Sequence, residues 1–276
     1  MTMPEGDYSG RRAVVTGCAS GIGEQLAAQL ATRGAQVIGL DRRRPSVRVE
    51  AFHPVDLADS ASISAAAAAI DGPVDALFNV AGISGTAGLT TIIGVNFVGT
   101  RELTEALLPR MPAGAAIANT GSIAGSHYRR RQDLVAGLLN TTARDEARRW
   151  CDEHADELGT GYSVSKDAII WYTLHRSVEL AERGIRMNCV CPGLTETPIL
   201  ADSRRARGDA FLDGIPMPLG RVAEPAEQAA VLAFASSPGA SYLNGQVLWV
   251  DGGYMAGVET GRFPNTTGAA GKADGS

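Results

Sequence analysis

The chain has 276 residues and a net charge of −5, with 45% hydrophobic and 20% charged residues. This length fits one large α/β domain, and the composition supports a sizeable buried core. The acidic balance argues against a nucleic-acid partner, because the basic clusters at residues 42–44 and 129–131 are short. No apolar run approaches 18 residues and the first seven residues do not resemble a signal peptide, so neither a membrane span nor export is expected.

The cysteines have neither the spacing of a zinc site nor the pattern of a secreted disulfide scaffold. We therefore expect buried free thiols, no metal site and a reducing, cytoplasmic location. The four residues are Cys18, Cys151, Cys189 and Cys191.

A glycine-rich turn follows the first predicted strand. Residues 13–16 form a short apolar run, residues 17–23 are the turn, and the leucines that follow recur at helical spacing. In this context glycines let the backbone approach a pyrophosphate, and the helix N-terminus offers free N–H groups to it. A plain tight turn is the alternative, but the flanking strand and helix favour a dinucleotide site. Its candidate residues are Gly17, Ser20, Gly21, Ile22 and Gly23.

Acidic residues follow the next two predicted strands. The second strand, residues 37–40, ends at Asp41, whose carboxylate can accept hydrogen bonds from the adenosine ribose and would repel a 2′-phosphate. It favours NAD, although the arginines at 42–44 leave NADP open. The third strand, predicted at residues 47–52, leads to Asp56 and Leu57, which are either an adenine contact or the start of the helix over residues 61–70.

Two polar residues lie further along this alternation of strands and helices. The fourth strand covers residues 76–80, and a long helix over residues 89–111 contains Asn96. An asparagine inside a helix is usually surface, but a carboxamide that faces a cleft can hold a water. Ser122 follows the fifth strand, residues 115–120, where open parallel sheets bind their ligands.

Tyr162 and Lys166 are four residues apart in the next long helix, so they share one face. A free phenol has a pKa of about 10, and a neighbouring ammonium stabilises its phenolate form. Such a pair can move a proton without histidine or metal. Residues 127–160, which precede it, read as one or two amphipathic helices that either pack on the domain or contact a partner.

The remaining pattern completes an α/β fold. Strands are predicted at residues 185–190 and 247–250, with a helix over 224–235 and a mobile segment over the site at 195–220. About seven strands alternating with six helices predict a doubly wound parallel sheet (Rossmann). We expect one domain over residues 1–256, with a helical insertion at about 127–160, and a polar flexible tail over 257–276.

These motifs resemble those of the short-chain dehydrogenases/reductases over roughly residues 10–255. Residues 16–23 match the family's cofactor motif, and residues 79–82 match its fourth-strand motif except that Val80 replaces an asparagine. The resemblance implies a catalytic set of Ser122, Tyr162 and Lys166, with Asn96 as its fourth member. It also implies further cofactor contacts at Asn79, Ala81, Gly82, Tyr162, Lys166, Pro192, Gly193, Thr195 and Thr197.

The long interval between the serine and the tyrosine, and the short link from Asp41 to Asp56, are similar to the bacterial 3α-hydroxysteroid dehydrogenase/carbonyl reductase branch. Residues 195–198 and 220–225 match that branch too, and bacterial coniferyl-alcohol dehydrogenases look similar in the same regions. In the hydroxysteroid branch the insertion displaces the family's usual tetramer packing. The resemblance therefore implies a homo-oligomer, with a dimer favoured and a tetramer left open.

The resemblance also implies a reaction, hydride transfer between an alcohol carbon and the nicotinamide. Tyr162 would move the hydroxyl proton, Lys166 would stabilise the phenolate and hold the nicotinamide ribose, and Ser122 would hydrogen-bond the substrate oxygen. Asn96 would hold a water that links Lys166 to solvent.

The residues expected to line the pocket carry few charges, so we expect a small apolar alcohol or ketone, steroid-like or aromatic. A coniferyl-alcohol or cis-dihydrodiol dehydrogenase is the alternative, and a non-catalytic dinucleotide sensor is a further one. The four-residue spacing disfavours an enoyl reductase. The expected pocket walls are Ile123, Leu194, Ile199, Leu200, Phe211, Leu212 and Met217.

Overall fold

The structure, a computed structural model, describes residues 7–208 and 214–267. Within these residues, seven strands form one sheet in the order β3-β2-β1-β4-β5-β6-β7, and every neighbouring pair is parallel. This confirms the predicted doubly wound parallel sheet. The strands are β1 (Arg12–Thr16), β2 (Gln36–Asp41), β3 (Ala51–Pro54), β4 (Ala76–Asn79), β5 (Ala116–Thr120), β6 (Arg186–Pro192) and β7 (Val247–Val250).

Helices cover both faces of the sheet and fill the segment between β5 and β6. Within residues 7–208 and 214–267, every helix is too short or too polar to span a bilayer. The helices are α1 (Gly21–Thr32), α2 (Ser60–Ala68), α3 (Leu89–Ile93), α4 (Thr100–Leu107), α5 (Gln132–Leu139), α6 (Arg144–Glu153), α7 (Ala155–Leu158), α8 (Tyr162–Ala181), α9 (Pro198–Arg207), α10 (Pro225–Ser236) and α11 (Tyr254–Glu259).

The sheet is buried on both faces, which explains the uninterrupted apolar runs of its central strands. Successive residues of β1 enter opposite layers: Val14 packs in the layer with α2, α4 and α8, and Val15 packs in the layer with α1 and α10. Leu26 of α1 and Leu232 of α10 lie in that second layer. The two layers hold the strand ends in place, and the site is built on those ends.

Several elements differ from the sequence prediction. β3 begins at Ala51 rather than at residue 47. Val47 and Val49 pack against the core as partly buried side chains without joining the sheet, so their alternation reads as a strand in the sequence. The predicted helix over 89–111 is present, but a π-helical turn, Gly94–Gly99, separates α3 from α4.

The described part of the tail predicted from residue 257 contains regular structure and buried contacts. α11 continues past this position, and Thr267 is only 8% exposed. The buried Tyr254 anchors the segment, because its hydroxyl accepts hydrogen bonds from the amides of Thr266 and Thr267. The rest of the predicted tail, residues 268–276, lies outside the described residues.

The strand order reverses between β1 and β4, so the connections that leave these two strands run in opposite directions. At such a point in an open α/β sheet a crevice opens beyond the carboxyl ends of the strands. The glycine-rich turn after β1 and the loop after β4 therefore form the two sides of this crevice.

Candidate functional site

The glycine-rich turn has a backbone that only glycine fits. Gly17 and Gly21 have positive φ angles of 71° and 57°. A Cβ atom on Gly17 would lie 2.9 Å from the Cα atom of Ala81, and one on Gly23 would overlap the carbonyl oxygen of Gly17. The turn is therefore folded back on itself and packed against the loop after β4. Because these glycines have no side chains, a pyrophosphate can approach the backbone closely.

The first turn of α1 is free to bind an anion. Ser20 is its N-cap residue, but the serine side chain makes no capping hydrogen bond. The N–H groups of the first turn have no intrahelical partners, and the helix dipole adds partial positive charge there. Gly21, Ile22 and Gly23 carry these groups. These features fit the phosphates of a dinucleotide.

Asp41 and Thr16 tie the edges of the crevice together. One carboxylate oxygen of Asp41 accepts a hydrogen bond from the Ala19 amide at 3.0 Å, and the other accepts one from the Arg43 amide at 3.0 Å. Each oxygen retains a free acceptor position. The Thr16 hydroxyl accepts from the amide of Ala81 at 3.0 Å, which joins the ends of β1 and β4.

Asp56 and Leu57 lie at the turn before α2. A carboxylate oxygen of Asp56 accepts from the Ala58 amide at 2.9 Å, so this side chain stabilises the turn, and Asp59 rather than Asp56 caps the helix. Leu57 is buried, and its carbonyl accepts from Arg144 of α6 at 3.0 Å. Both residues therefore have structural partners of their own.

The Asn79 side chain lies below the crevice rather than in it. It donates to the Thr104 hydroxyl at 2.9 Å and to the Asn119 carboxamide at 2.8 Å, and Asn119 donates to Thr173 at 2.9 Å. This buried chain of hydrogen bonds joins β4 and β5 to α4 and α8. The resemblance implies a cofactor contact at Asn79. In the structure the Asn79 carboxamide holds the sheet to its helices.

Ser122 follows β5 and caps a short 3₁₀ turn, Ile123–Gly125. Its half-buried hydroxyl accepts from the Ala124 amide at 3.1 Å, which leaves its proton free to donate to a ligand. A Cβ atom on Gly125 would lie 2.9 Å from the carbonyl carbon of Lys166. Residues 122–126, here called the serine turn, therefore pack directly on the α8 backbone at Lys166.

Tyr162 is the first residue of α8, and Lys166 lies one turn further on. Gly161 before them has a φ angle of 78°. The Lys166 Nζ donates to the Thr120 carbonyl at 3.0 Å and lies 5.8 Å from the centre of the Tyr162 ring. The prediction that both side chains share one face is confirmed. The ammonium is buried and faces the phenol ring, where its charge acts with little screening.

Asn96, in the π-helical turn, joins the loop after β4 to the tyrosine helix. Its Oδ1 accepts from the Ile83 amide at 2.8 Å, and its Nδ2 donates to the Ile83 carbonyl and to the Ser165 hydroxyl, both at 3.2 Å. Both N–H groups are thus used, and only one acceptor position of Oδ1 remains for a water. Gly82 lies between Asn96 and Lys166, since a Cβ atom there would be 3.2 Å from the Asn96 Oδ1 and 3.7 Å from the Lys166 Nζ.

The residues expected after β6 also lie at the crevice. β6 ends at Pro192, and a Cβ atom on Gly193 would lie 2.7 Å from the Asp251 Cα. The Thr195 hydroxyl donates to the Gly193 carbonyl at 3.0 Å. Thr197 is the N-cap of α9, and its methyl group would lie 3.3 Å from a Cβ atom on Gly21. The predicted contacts at Gly21 and Thr197 are therefore neighbours in space.

Three of the predicted pocket walls line one cavity of about 110 Å³ beside the site. Its lining includes neither Ser122 nor Tyr162. It is small for a ligand site, since such sites commonly measure roughly 300–1,000 Å³. Phe211 and Leu212 lie outside the described residues, whereas Ile199 and Leu200 are in α9. The three walls in the cavity are Ile123, Leu194 and Met217.

The sequence interpretation missed three groups that hold the site. The Thr120 carbonyl binds the lysine, Ser165 links Asn96 to α8, and residues 263–267 contact the serine turn. A main-chain carbonyl leaves no trace in the sequence. Ser165 lies three residues after Tyr162, a helical spacing that could have drawn attention to it.

Two family models match the chain. The model described as short chain dehydrogenase matches residues 11–133, and the one described as Enoyl-(Acyl carrier protein) reductase matches residues 151–255. The coniferyl-alcohol dehydrogenase of Pseudomonas sp. (strain HR199 / DSM 7063) is 34% identical over 88% of this chain and 96% of its own. The 3-alpha-hydroxysteroid dehydrogenase/carbonyl reductase of Comamonas testosteroni is 34% identical over 91% of this chain and 98% of its own.

A solved structure agrees with these relatives. The 3-alpha-hydroxysteroid dehydrogenase of Pseudomonas sp. B-0831, in complex with NADH, has a TM-score of 0.77 and 33% identity, and covers 91% of this chain and 99% of its own. The chain belongs to the short-chain dehydrogenase/reductase family. It is an oxidoreductase.

Proposed function

We propose that this protein transfers a hydride between NAD and a secondary, or aromatic primary, alcohol, and so interconverts the alcohol with its carbonyl compound. The observation that carries the proposal is the placement of the buried Lys166 ammonium 5.8 Å from the Tyr162 ring, on the helix that the serine turn packs against. The NADH complex of the related 3-alpha-hydroxysteroid dehydrogenase supports the choice of cofactor.

Each side chain has a role that follows from its contacts. The nicotinamide, when bound, accepts or supplies the hydride. The Tyr162 phenolate takes the hydroxyl proton of the alcohol during oxidation, and the phenol returns it during reduction. Lys166 stabilises the phenolate and holds the nicotinamide ribose. Ser122 donates a hydrogen bond to the substrate oxygen. Asn96 fixes α8 against the loop after β4 and has one acceptor position left for the water expected near Lys166.

The cofactor contacts divide by chemistry. The turn after β1 and the first turn of α1 would hold the pyrophosphate, and Asp41 the adenosine ribose. Main-chain groups would supply most of the others, because the Asn79 and Asp56 side chains have partners of their own. The set is Gly17, Ser20, Gly21, Ile22, Gly23, Asp41, Asp56, Leu57, Asn79, Ala81, Gly82, Tyr162, Lys166, Pro192, Gly193, Thr195 and Thr197.

The choice of NAD over NADP depends on Asp41. Two backbone amides hold its carboxylate at the end of β2, where its charge would repel a 2′-phosphate. We expect the wild-type protein to prefer NAD in kcat/KM, and Asp41→Ser to lower the preference by about 10- to 100-fold. Equal use of NADP by the wild-type protein would show that the arginines at 42–44 set the preference instead.

The substrate is proposed to be an uncharged, apolar alcohol or ketone, because the predicted walls Ile123, Leu194 and Met217 are apolar. The charged residues that also line the cavity already have partners: Arg221 pairs with Glu227, and Asp251 accepts hydrogen bonds from two backbone amides. The test is a panel of 3α-hydroxysteroids, cinnamyl alcohols, cis-dihydrodiols and polyols, with NADH formation followed by absorbance. We expect one apolar class to exceed the polyols in kcat/KM by about 100-fold. A preference for polyols would contradict this substrate class.

Coniferyl alcohol is the second candidate, since the coniferyl-alcohol and hydroxysteroid relatives are equally identical to this chain at 34%. The same panel separates the two. A non-catalytic dinucleotide sensor would bind NADH and turn over none of the alcohols.

We propose that the protein is a homodimer. The insertion packs on its own chain: Arg101 of α4 donates to the Leu139 carbonyl at 3.3 Å, and Trp171 of α8 donates to the Tyr128 carbonyl at 2.6 Å. Part of the surface of α4 and α8 is thereby covered, which favours a dimer through another face over a tetramer. Light scattering on the purified protein distinguishes the masses of a dimer and a tetramer.

The four buried free thiols suit a reducing compartment such as the cytoplasm.

A further inference from the structure

We infer that residues 263–267, here called the C-terminal strap, position the catalytic serine, and that Thr267 and Asn265 are its positioning residues. The inference rests on the role proposed above for Ser122. It concerns how a segment more than a hundred residues away in the chain holds the serine turn in place.

The strap contacts the serine turn on both sides. The Thr267 hydroxyl donates to the Ile123 carbonyl at 2.9 Å, directly after Ser122. This hydroxyl also lies 3.1 Å from the Asn265 Oδ1, but it has one proton, and the carbonyl contact is the shorter. The Asn265 Nδ2 donates to the Ser126 hydroxyl at 2.8 Å. The Ile123 carbonyl also accepts from the Ser126 amide at 3.1 Å, so both of its acceptor positions are used.

The strap itself is held by Tyr254 of α11. The phenol oxygen accepts from the amides of Thr266 at 3.0 Å and Thr267 at 3.3 Å, and its proton lies toward the Asn265 Oδ1 at 3.2 Å. The Phe263 ring stacks on the Tyr254 ring with centroids 5.7 Å apart. Tyr254 is fully buried, so these hydrogen bonds are shielded from water.

The strap also contacts the chain at Gly214, beside the apolar cluster that holds Ile123. The Thr266 hydroxyl donates to the Gly214 carbonyl at 3.2 Å. Ile215, the next residue, packs in one apolar cluster with Ile123 and Tyr254. The strap therefore connects the serine turn to the segment that follows α9.

These contacts separate catalysis from cofactor binding. The side-chain hydrogen bonds of the strap described here go to the serine turn, to Tyr254, to Gly214 or within the strap. They do not involve the glycine-rich turn or Asp41. A loosened strap should thus reduce turnover far more than dinucleotide affinity, because its hydrogen bonds reach the serine turn and not the proposed pyrophosphate and adenosine contacts.

The test is a set of matched variants. Thr267→Val keeps the shape and removes the hydroxyl, and Thr267→Ser keeps the hydroxyl. Thr260→Val is the control, because that exposed hydroxyl bonds only to the carbonyls of its own helix. We expect Thr267→Val to lower kcat about 5- to 10-fold with the NADH Kd within about twofold of wild type, Thr267→Ser to restore kcat, and Thr260→Val to have no effect.

A double-mutant cycle with Ser122→Ala shows whether the strap acts through the serine. We expect Thr267→Val to have no further effect in the Ser122→Ala background. The same loss in both backgrounds, or wild-type turnover of Thr267→Val, would overturn the inference and leave the proposed function standing. Wild-type turnover of Ser122→Ala would instead overturn the proposed role of the serine, and the inference with it.

Tyr254→Phe tests the same inference if Thr267→Val does not fold. It removes the hydroxyl at which the strap is anchored and keeps the buried ring. We expect a fall in kcat of about 3- to 10-fold with unchanged NADH affinity, and again no further loss when Ser122 is alanine. Unchanged kcat in this variant would count against the strap.

Discussion

The cofactor side and the substrate side of the site are built in different ways. On the cofactor side, the glycine-rich turn is shaped by backbone contacts between nearby residues, such as those of Gly23 with Gly17. On the substrate side, the serine turn is held by side chains from distant segments, and the bond from Thr267 to Ile123 spans 144 residues. Backbone crowding demands one residue type and so marks the sequence, whereas a distant side-chain contact leaves no local mark.

The largest effect on cofactor binding is expected from Gly23→Ala. The added methyl group would overlap the Gly17 carbonyl oxygen, and a backbone atom cannot move aside without opening the turn. We expect NADH affinity to fall by at least about 100-fold in a fluorescence titration.

Gly88→Ala is the matched control for this variant. Gly88 has a φ angle of −65° and nothing within 4 Å of an added Cβ atom. Its NADH affinity should equal that of the wild-type protein. An unchanged affinity for Gly23→Ala would show that backbone crowding does not shape the cofactor side.

On the substrate side, the buried pair of Asp167 and Arg131 joins α8 to the insertion at 2.9 Å. Burial raises the pKa of the Asp167 carboxyl from 3.8 to about 7, although the Arg131 charge acts to lower it. Between these two values the folded protein holds a proton that the unfolded chain has released, so stability falls as the pH rises. Relative to Asp167→Asn, the wild-type protein should lose about 2 to 3 kcal/mol of unfolding free energy from pH 5 to pH 8.

Urea denaturation at several pH values measures this difference. Asp133→Asn, at an exposed position of α5, is the control and should follow the wild-type curve. Parallel curves for wild type and Asp167→Asn would mean that the carboxyl is ionised throughout this range.

A smaller effect is expected from Arg144, which connects α6 of the insertion to the turn before α2 and to the helices after β4. It donates to the Leu57 carbonyl at 3.0 Å, to the Gly94 carbonyl at 3.1 Å and to Glu102 at 2.6 Å. Arg144→Met should lower the free energy of unfolding by about 2 kcal/mol, because two carbonyls and a carboxylate lose a charged donor.

Arg148→Met provides the control on the same helix. The Arg148 side chain is 63% exposed, and its nearest acidic partner, Asp145, is 4.0 Å away. Its loss should be below about 0.5 kcal/mol. Equal losses in the two variants, measured by denaturant unfolding, would show that Arg144 does not anchor the insertion.

The same distinction explains what could be predicted from the sequence. The parallel sheet, the glycine-rich turn and the shared face of Tyr162 and Lys166 follow from local spacing, and the structure has all three. Spacing does not determine where a side chain points, so it missed that Asn79 faces the helices below the crevice. Nor does composition reveal that the glycine-rich, polar residues 257–267 are held by one buried phenol, that of Tyr254.

The most direct test of the central claim is the turnover of Tyr162→Phe with NAD and the best alcohol of the panel. The matched control is Tyr242→Phe, which removes the same hydroxyl from a fully exposed tyrosine. We predict that kcat falls by about 10²- to 10⁴-fold in Tyr162→Phe, while Tyr242→Phe behaves as wild type. Normal turnover of Tyr162→Phe would contradict the account, because the phenol could then not be the group that moves the proton.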